Sequence, residues 1–530
     1  MIFPLIIRVG FFLVFDRIHS SDLCDLLSKT LRWNMIYHNP VIKGFYPDPS
    51  VCKVNDTYYL VSSSMQYFPG VPLFESKDLI NWTQIGHCLT RKSQIQLEKV
   101  NSSGGVFAPT IRYHDGRFYM ATTNDTTRQN FYVWTDDIYG EWSDPVYVDQ
   151  GGIDPDLFFD EGSVYFMSNG TDDQGVGGIV QCRIDIATGR KLTPSRSIWQ
   201  GTGGRFLEAP HLYKINDWYY LVAAEGGTEF GHFVTYARAA SPSGPFEAYP
   251  YNPVLTNRNL GGYEVQAVGH GDLVQDDSGH WWMLHLGFRQ IGQWIPYHHL
   301  GREVFLTPVT FGDDGWFTAG DRGTTLSAFE TDRIPNEVVQ QEKKCFTFEN
   351  TAWNIDWCFL RHPDMDNYAF KNNKLQLKGT EVTLDEADSP TFIGIRQKDF
   401  AAMISCDIAL SDGEAGITLY MDENHHYDLA IRKCGSGYEV IERLNVGDIK
   451  SIEKTIDLKG ENSATLMVQA SHTHYRFYLR SGGEDLLMGI AQTKYLSSEV
   501  AGGFTGVLIG LYACGPNSLA EFSDFKCEYL

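Results

Sequence analysis

Five copies of one short pattern recur between residues 48 and 283, and this repeat limits what the chain can fold into more than any other property. Each copy runs from a small or charged residue to Pro or Gly, a polar residue, an apolar strand start, a turn of Asp, Asn or Gly type and a pair of aromatics. The copies are DPSVCKVNDTYYL from Asp48, APTIRYHDGRFYM from Ala108, DPDLFFDEGSVYF from Asp154, APHLYKINDWYYL from Ala209 and HGDLVQDDSGHWWML from His270. With Pro49, Pro109, Pro155, Pro210 and Gly271 taken as equivalent, the spacings are 60, 46, 55 and 61 residues. A β-hairpin recurring at that period predicts the blades of a propeller; a β-helix repeats over much shorter lengths and a sandwich does not repeat. One blade cannot bury both of its faces, so five blades stacked around an axis are the stable solution.

The slot just before the Pro or Gly holds Asp48, Ala108, Asp154, Ala209 and His270, with Glu208 beside Ala209. In a closed ring these slots surround the axis at one level, so three carboxylates and a histidine from distant segments are expected to converge. Taken singly, an Asp before Pro is an ordinary turn residue. Acids in equivalent slots, alternating with Ala, form a pattern that turn chemistry does not require. Two or three carboxyls without a Ser/His or thiolate arrangement point to acid/base chemistry on a bond whose leaving group needs a proton, and glycosidic cleavage is the leading case. One carboxyl must stay protonated, another must be ionised, and a third charge nearby holds the acid's pKa up. Arg302, following the fifth repeat, is a candidate for tuning those pKa values or for donating to sugar hydroxyls. His270 is a candidate for seating a cation or a water.

At 530 residues the chain is long enough for two domains. Short strand-like runs separated by Gly, Pro and Asp/Asn turns fill residues 35–325, the expected five-bladed β-propeller. Residues 326–345 lose the pattern and read as a linker. From 346 to 530 longer alternating strands such as AAMISCDIAL and EAGITLYMD predict an antiparallel β-sandwich, giving an all-β chain. Residues 1–34 contain an apolar stretch broken by Arg8 and are read as a segment outside the fold. A net charge of −23 argues against nucleic acid or an anionic membrane as partner and leaves homo-oligomerisation open. The ten cysteines show no CxxC or CxxH spacing, and several sit in strand-like runs as buried thiols would. That pattern favours a reducing, cytoplasmic setting, with secretion the alternative if residues 1–34 act as a signal.

The segments NPVIKGFYPDPS, SSMQYFPGVPLFESKDLINW, GGVFAPTIRYHDGRFYM, GGIDPDLFF, EAPHLYKI, AEGGTEFGH, GHGDLV and HHLGREVFL, in this order, resemble the β-xylosidase/α-L-arabinofuranosidase group of family 43 glycoside hydrolases. The region after 345 resembles the concanavalin-like sandwich that accompanies this group. The resemblance implies a five-bladed propeller and an inverting mechanism. It makes Asp48 the general base, Glu208 the general acid, and Asp154 the group that raises and orients the acid. It further implies that His270 binds a central Ca2+ through water, that Arg302 contacts substrate, and that Phe107, Thr228 and Phe504 line the sugar site. Asp156 and Ala209 stand where a small residue and Gly are more usual. The expected activity is exo release of xylose from the non-reducing ends of β-1,4-xylo-oligosaccharides. The alternatives are α-L-arabinofuranosidase action on arabinose-substituted xylan fragments, and a carbohydrate-binding propeller without catalysis.

Overall fold

Each of the five repeats folds into one antiparallel four-stranded sheet whose strands follow chain order. Blade 1 comprises Ser50–Val54, Thr57–Val61, Gly70–Ser76 and Thr83–Leu89, and blade 2 Thr110–His114, Arg117–Asn124, Gln129–Thr135 and Val146–Val148. Blade 3 comprises Ile153–Asp160, Ser163–Thr171, Gly177–Ile184 and Arg196–Trp199; blade 4 Glu208–Ile215, Trp218–Glu225, Phe233–Ala239 and Glu247–Ala248. Blade 5 comprises Val265–Gln275, Trp281–Arg289, Glu303–Phe311 and Phe317–Ala319. The structure is a computed structural model that describes residues 35–331, 344–346, 348, 353–516 and 518–530. Residues 1–34 and most of the segment read as a linker lie outside the described residues.

The turn residues of the repeat explain the first hairpin of each blade. In blades 1 to 4 the two-residue loops begin at Asn55, Asp115, Glu161 and Asn216, all with left-handed backbone. That conformation matches the twist of a tight hairpin and suits Asn and Asp best. The paired aromatics and β-branched residues then fill the junctions between blades. Val61, Met120 and Val133 pack between blades 1 and 2, Leu157 and Phe166 join Tyr132 between 2 and 3, and Met167 meets Leu212 and Leu221 between 3 and 4. Val222 and Tyr236 meet Met283 and Phe305 between blades 4 and 5, and Leu60 meets Trp282 and Leu284 between 5 and 1.

The ring is closed outside the blades. Met35–His38 pairs antiparallel with Ala328–Thr331, a strand that falls within the segment read as a linker. Asn39 locks the seam: its amide donates to the Leu306 and Leu326 carbonyls, and its side-chain oxygen accepts from the Leu306 N–H. On the axis lies a buried polar layer in which the residues just after the Pro or Gly of blades 1, 3, 4 and 5 surround Arg112, the third residue after Pro109. Arg112 of blade 2 pairs with Asp156 of blade 3 at 3.0 Å and Asp272 of blade 5 at 2.9 Å, and its Nη2 lies 3.0 Å from His211 Nδ1 of blade 4. Asp272 also accepts from Ser50 Oγ of blade 1 at 2.6 Å and from the Tyr213 hydroxyl. Asp156, where the resemblance leads one to expect a small residue, is thus paired with the axial guanidinium.

The C-terminal region is a two-sheet sandwich. One sheet carries Tyr368–Lys371, Lys374–Lys378, Leu519–Tyr529, Ala402–Leu410, Ser463–Ala470, His474–Ser481 and Glu484–Gln492 in that order, with Lys344–Phe346 also paired to Leu519–Tyr529. The other carries Thr391–Arg396, Leu508–Cys514, Glu414–Asp422, His425–Cys434, Gly437–Val446 and Ile449–Asp457. Alternate residues of Ala402–Leu410 are buried, the period-two signature read from the sequence. Among the described residues no helix is long and apolar enough to cross a membrane.

The sandwich docks against the propeller through backbone as well as side chains. Phe359–Leu360 pairs with Tyr67–Phe68, and the Val507 N–H donates to the His299 carbonyl at 2.9 Å. Gly301 and Gly506 meet so closely that a Cβ on Gly506 would sit 2.3 Å from the Leu300 carbonyl oxygen. Only glycine permits that approach, and it places Phe504 over the propeller axis.

Candidate active site

Four of the five slot residues share one backbone conformation. Asp48, Asp154, Ala209 and His270 have φ of 56, 56, 54 and 52°, a region costly for residues other than Gly. In blades 3, 4 and 5 the slot coincides with a bulge: the pairing skips between Ile153 and Asp156, between Glu208 and His211, and between Gly269 and Asp272. A bulge bends the inner strand and re-aims a side chain that regular pleating would bury between blades. This aims Asp154 and His270 at the axis from their slots, and Glu208 from one residue earlier. Such strain at four equivalent positions is expected where geometry serves function rather than stability.

These side chains line one cavity of 110 Å³, together with Met65, Phe107, Ala108, Ile153, Thr228, His232, Arg302 and Phe504. All eight site residues expected from the sequence therefore meet: Asp48, Asp154, Glu208, His270, Arg302, Phe107, Thr228 and Phe504. Arg302 is the hub. Its Nη1 donates to Asp48 Oδ1 at 2.6 Å and to Thr228 Oγ1 at 2.9 Å, and its Nη2 reaches the Phe504 carbonyl at 3.4 Å. Its Nε is buried with no protein acceptor. Asp48 also accepts from Ser63 Oγ, so both of its oxygens are fixed.

The three carboxyls differ in electrostatic setting. Asp48 faces the Arg302 guanidinium, the one strong positive charge at the cavity. Burial pushes Glu208 well above the ordinary carboxyl range, and the charges of Asp154 and then Asp48 push it further against the opposing pull of Arg302. Asp154 is pushed up to about 7, chiefly by burial and then by Asp48, while a 3.0 Å hydrogen bond from the Ala209 N–H works against the rise. That bond ties Asp154 to the residue following Glu208, so it orients the acid as well as raising it. Environment thus sets Asp48, paired with a guanidinium, apart from Glu208, whose surroundings favour its protonated form.

Two further residues belong to the site. Ser63 positions Asp48, and His232 sits with Nε2 3.7 Å from Glu208 Oε1. His232 Nδ1 lies 3.2 Å from the Ala267 carbonyl, which fixes the proton there and leaves the Nε2 lone pair toward Glu208. Burial lowers its pKa to about 3, so it places no positive charge beside the acid. Neither lies in the repeat slot, although both fall within segments quoted above.

His270 is at the axis, 3.9 Å from Asp48, and burial lowers its pKa to about 4. Among the described residues no three His, Cys, Asp or Glu side chains come together as metal ligands. The nearby carboxylates Asp156 and Asp272 are already committed to Arg112. Calcium prefers six to eight oxygen ligands, and one imidazole above an arginine does not supply them. Side chains alone therefore do not build a calcium shell here, and a Ca2+ of the kind the resemblance implies would be held by His270 through water, with water supplying the remaining oxygen ligands.

The family model for glycosyl hydrolases family 43 matches residues 37–317, and that for the β-xylosidase C-terminal concanavalin A-like domain matches residues 345–528. The chain belongs to glycosyl hydrolases family 43. It is 39% identical over 520 residues to the non-reducing end α-L-arabinofuranosidase BoGH43B of Bacteroides ovatus, covering 95% of this chain and 96% of that one. It is 34% identical over 528 residues to a β-xylosidase of Bacillus subtilis, covering 92% of this chain and 98% of that one, and 36% identical over 520 residues to a xylosidase/arabinosidase of Butyrivibrio fibrisolvens, covering 93% and 98%. Among solved structures, Bacteroides ovatus Xyloglucan PUL GH43B superposes with a TM-score of 0.88 at 38% identity, covering 94% of this chain and all of that one. The xylan β-1,4-xylosidase of Bacillus halodurans C-125 gives 0.88 at 29% identity, covering 93% and 100%. The family 43 chain is a glycosidase, and its propeller and sandwich are the architecture of these relatives.

Proposed function

We propose that this family 43 enzyme removes single pentoses from non-reducing ends with inversion, releasing xylose from β-1,4-xylo-oligosaccharides. The observation that carries the reading is the single small cavity on the propeller axis that holds Asp48, Asp154 and Glu208 in three different electrostatic settings. Its small volume, with Phe504 of the sandwich among its lining residues, suits a chain end rather than a chain interior. In the reaction Asp48 takes a proton from a water on one face of the sugar, and the water oxygen bonds to the anomeric carbon. Glu208 gives its proton to the glycosidic oxygen as the carbon–oxygen bond breaks. Arg302 holds Asp48 in place and lines the cavity within reach of a sugar hydroxyl, while Asp154 keeps Glu208 protonated and aimed.

A second reading, α-L-arabinofuranosidase, is favoured by the 39% identity to the arabinofuranosidase of Bacteroides ovatus. Xylopyranose and arabinofuranose present similar hydroxyls, and one pocket can serve both. Digestion of xylo-oligosaccharides and of arabinoxylan, with product analysis by NMR at early times, separates the readings. Xylose from the first substrate, appearing first as the α-anomer, supports the main reading; arabinose from the second alone overturns it. Retention of configuration would overturn the inverting step.

A further inference from the structure

The catalytic cavity opens past Glu208 into a wider chamber of 470 Å³, and Glu208, Thr228, Arg302 and Phe504 line both. Glu208 protonates the departing oxygen in the function proposed above, and on that reading the outer chamber is where the leaving group sits. One wall is Phe206. It is 61% exposed and has φ of 53°, so a large aromatic is both left in water and held in a left-handed backbone. Neither feature serves stability.

The loop that presents this ring is built from beneath. Glu225 is fully buried, and among the described residues it forms no ion pair. Its carboxylate accepts from the Thr202 N–H at 2.7 Å, from Thr202 Oγ1 at 2.9 Å and from the Gly204 N–H. A Cβ on Gly201 or Gly204 would meet that carboxylate at 2.8 or 2.5 Å, so the glycines let the loop close on it. Above, the Phe206 ring lies against Gly227, where a Cβ would come within 3.0 Å. Arg205 stands over the ring at 5.3 Å and is tied to Glu229 and to the Gly226 carbonyl. The ring is therefore fixed from several sides while its exposed surface faces the chamber.

We propose that Phe206 is a stacking platform for the first sugar ring of the leaving group, with Glu225 as the positioning residue that holds its loop. A flat aromatic face matches the C–H face of a pyranose ring and has little to offer a small aglycone. The enzyme is then built to take its pentose from another sugar. The test compares kcat/KM for xylobiose with that for methyl β-xyloside, or the matching arabinofuranosyl pair if arabinose is the sugar released. Phe206→Asn suits the left-handed backbone and should fold as well as the wild type. It should lower the disaccharide-to-methyl-glycoside ratio about tenfold, the scale of one lost stacking contact. Phe206→Leu should do the same, and Phe206→Trp should keep the ratio. A ratio within twofold of wild type in both Phe206→Asn and Phe206→Leu would overturn the platform. A wild-type enzyme inactive on both substrate types would instead overturn the functional reading, and the platform with it.

Discussion

Replacing Asp154 by Asn tests the electrostatic logic of the site most directly. The amide oxygen can still accept from the Ala209 N–H, so the geometry around Glu208 is kept while a charge is removed. Two carboxylates roughly 5 Å apart at an effective dielectric of ~20 repel by about 3 kcal/mol, equivalent to about 2 pH units. Asp154 titrates at about 7, so above neutrality its charge opposes ionisation of Glu208. Without it Glu208 loses its proton sooner as pH rises, and activity falls earlier. The alkaline limb of the kcat profile should therefore move down by at least about 1 pH unit. Stability should respond in the opposite sense. The folded pKa of Asp154 is raised from 3.8, so its stabilising contribution is complete below that value and is lost as pH climbs through about 7. Asn has no such loss, so the melting temperature of the variant relative to wild type should rise between pH 5 and pH 8, with a ceiling of about 3 kcal/mol over that window. A lower kcat with an unmoved alkaline limb would refute the electrostatic role and leave Asp154 only a positioning one.

Glu208→Gln should cost about 10²–10⁴ in kcat on xylobiose and far less on a nitrophenyl pentoside, whose leaving group needs no proton; equal losses on both would remove Glu208 from the acid role. Arg302→Met leaves Asp48 buried without its cation and should both raise KM and destabilise the fold by about 3–5 kcal/mol, read by denaturant titration with pentose-release kinetics. Chelation with excess EGTA should leave kcat/KM unchanged, because the buried carboxylates Asp156 and Asp272 are engaged by Arg112 rather than free to hold a cation; activity lost and then restored by Ca2+ would refute this. In the sandwich, Asp428 and Asp385 raise His426 to about 9 against the effect of burial. That raised pKa contributes stability that is complete below about 6.5 and lost as pH rises through 9, up to about 3 kcal/mol, so His426→Gln should flatten the fall in melting temperature across that range.

The repeat made much of this molecule legible in advance, and the limits of its legibility have physical causes. Asp48, Asp154 and His270 were readable because a propeller turns equal sequence position into equal distance from the axis. Glu208 was readable as the neighbour of such a slot, although the bulge that swings it inward has no sequence signature of its own. Ser63 and His232 lie on segments beyond the slots, where a lone Ser or His carries no periodic signal. The Arg112 layer escaped because Arg112 lies three residues past Pro109, outside the slots, and polar residues just after Pro or Gly read as turn chemistry until the ring brings Asp156, His211 and Asp272 around one guanidinium. Ala328–Thr331 was hidden in an aperiodic stretch because its partner, Met35–His38, is nearly the whole propeller away in sequence. Phe504 could be anticipated only from family likeness, since nothing local in GGFTGV tells which domain it will face.

Arg112 has a consequence for how the propeller comes apart. From blade 2 it reaches Ser50, Asp156, His211 and Asp272, one group on each of the other four blades. Detaching any single blade would strand part of a charged cluster in a dry interior. The propeller should consequently melt in a single cooperative step rather than fraying module by module as open solenoids do.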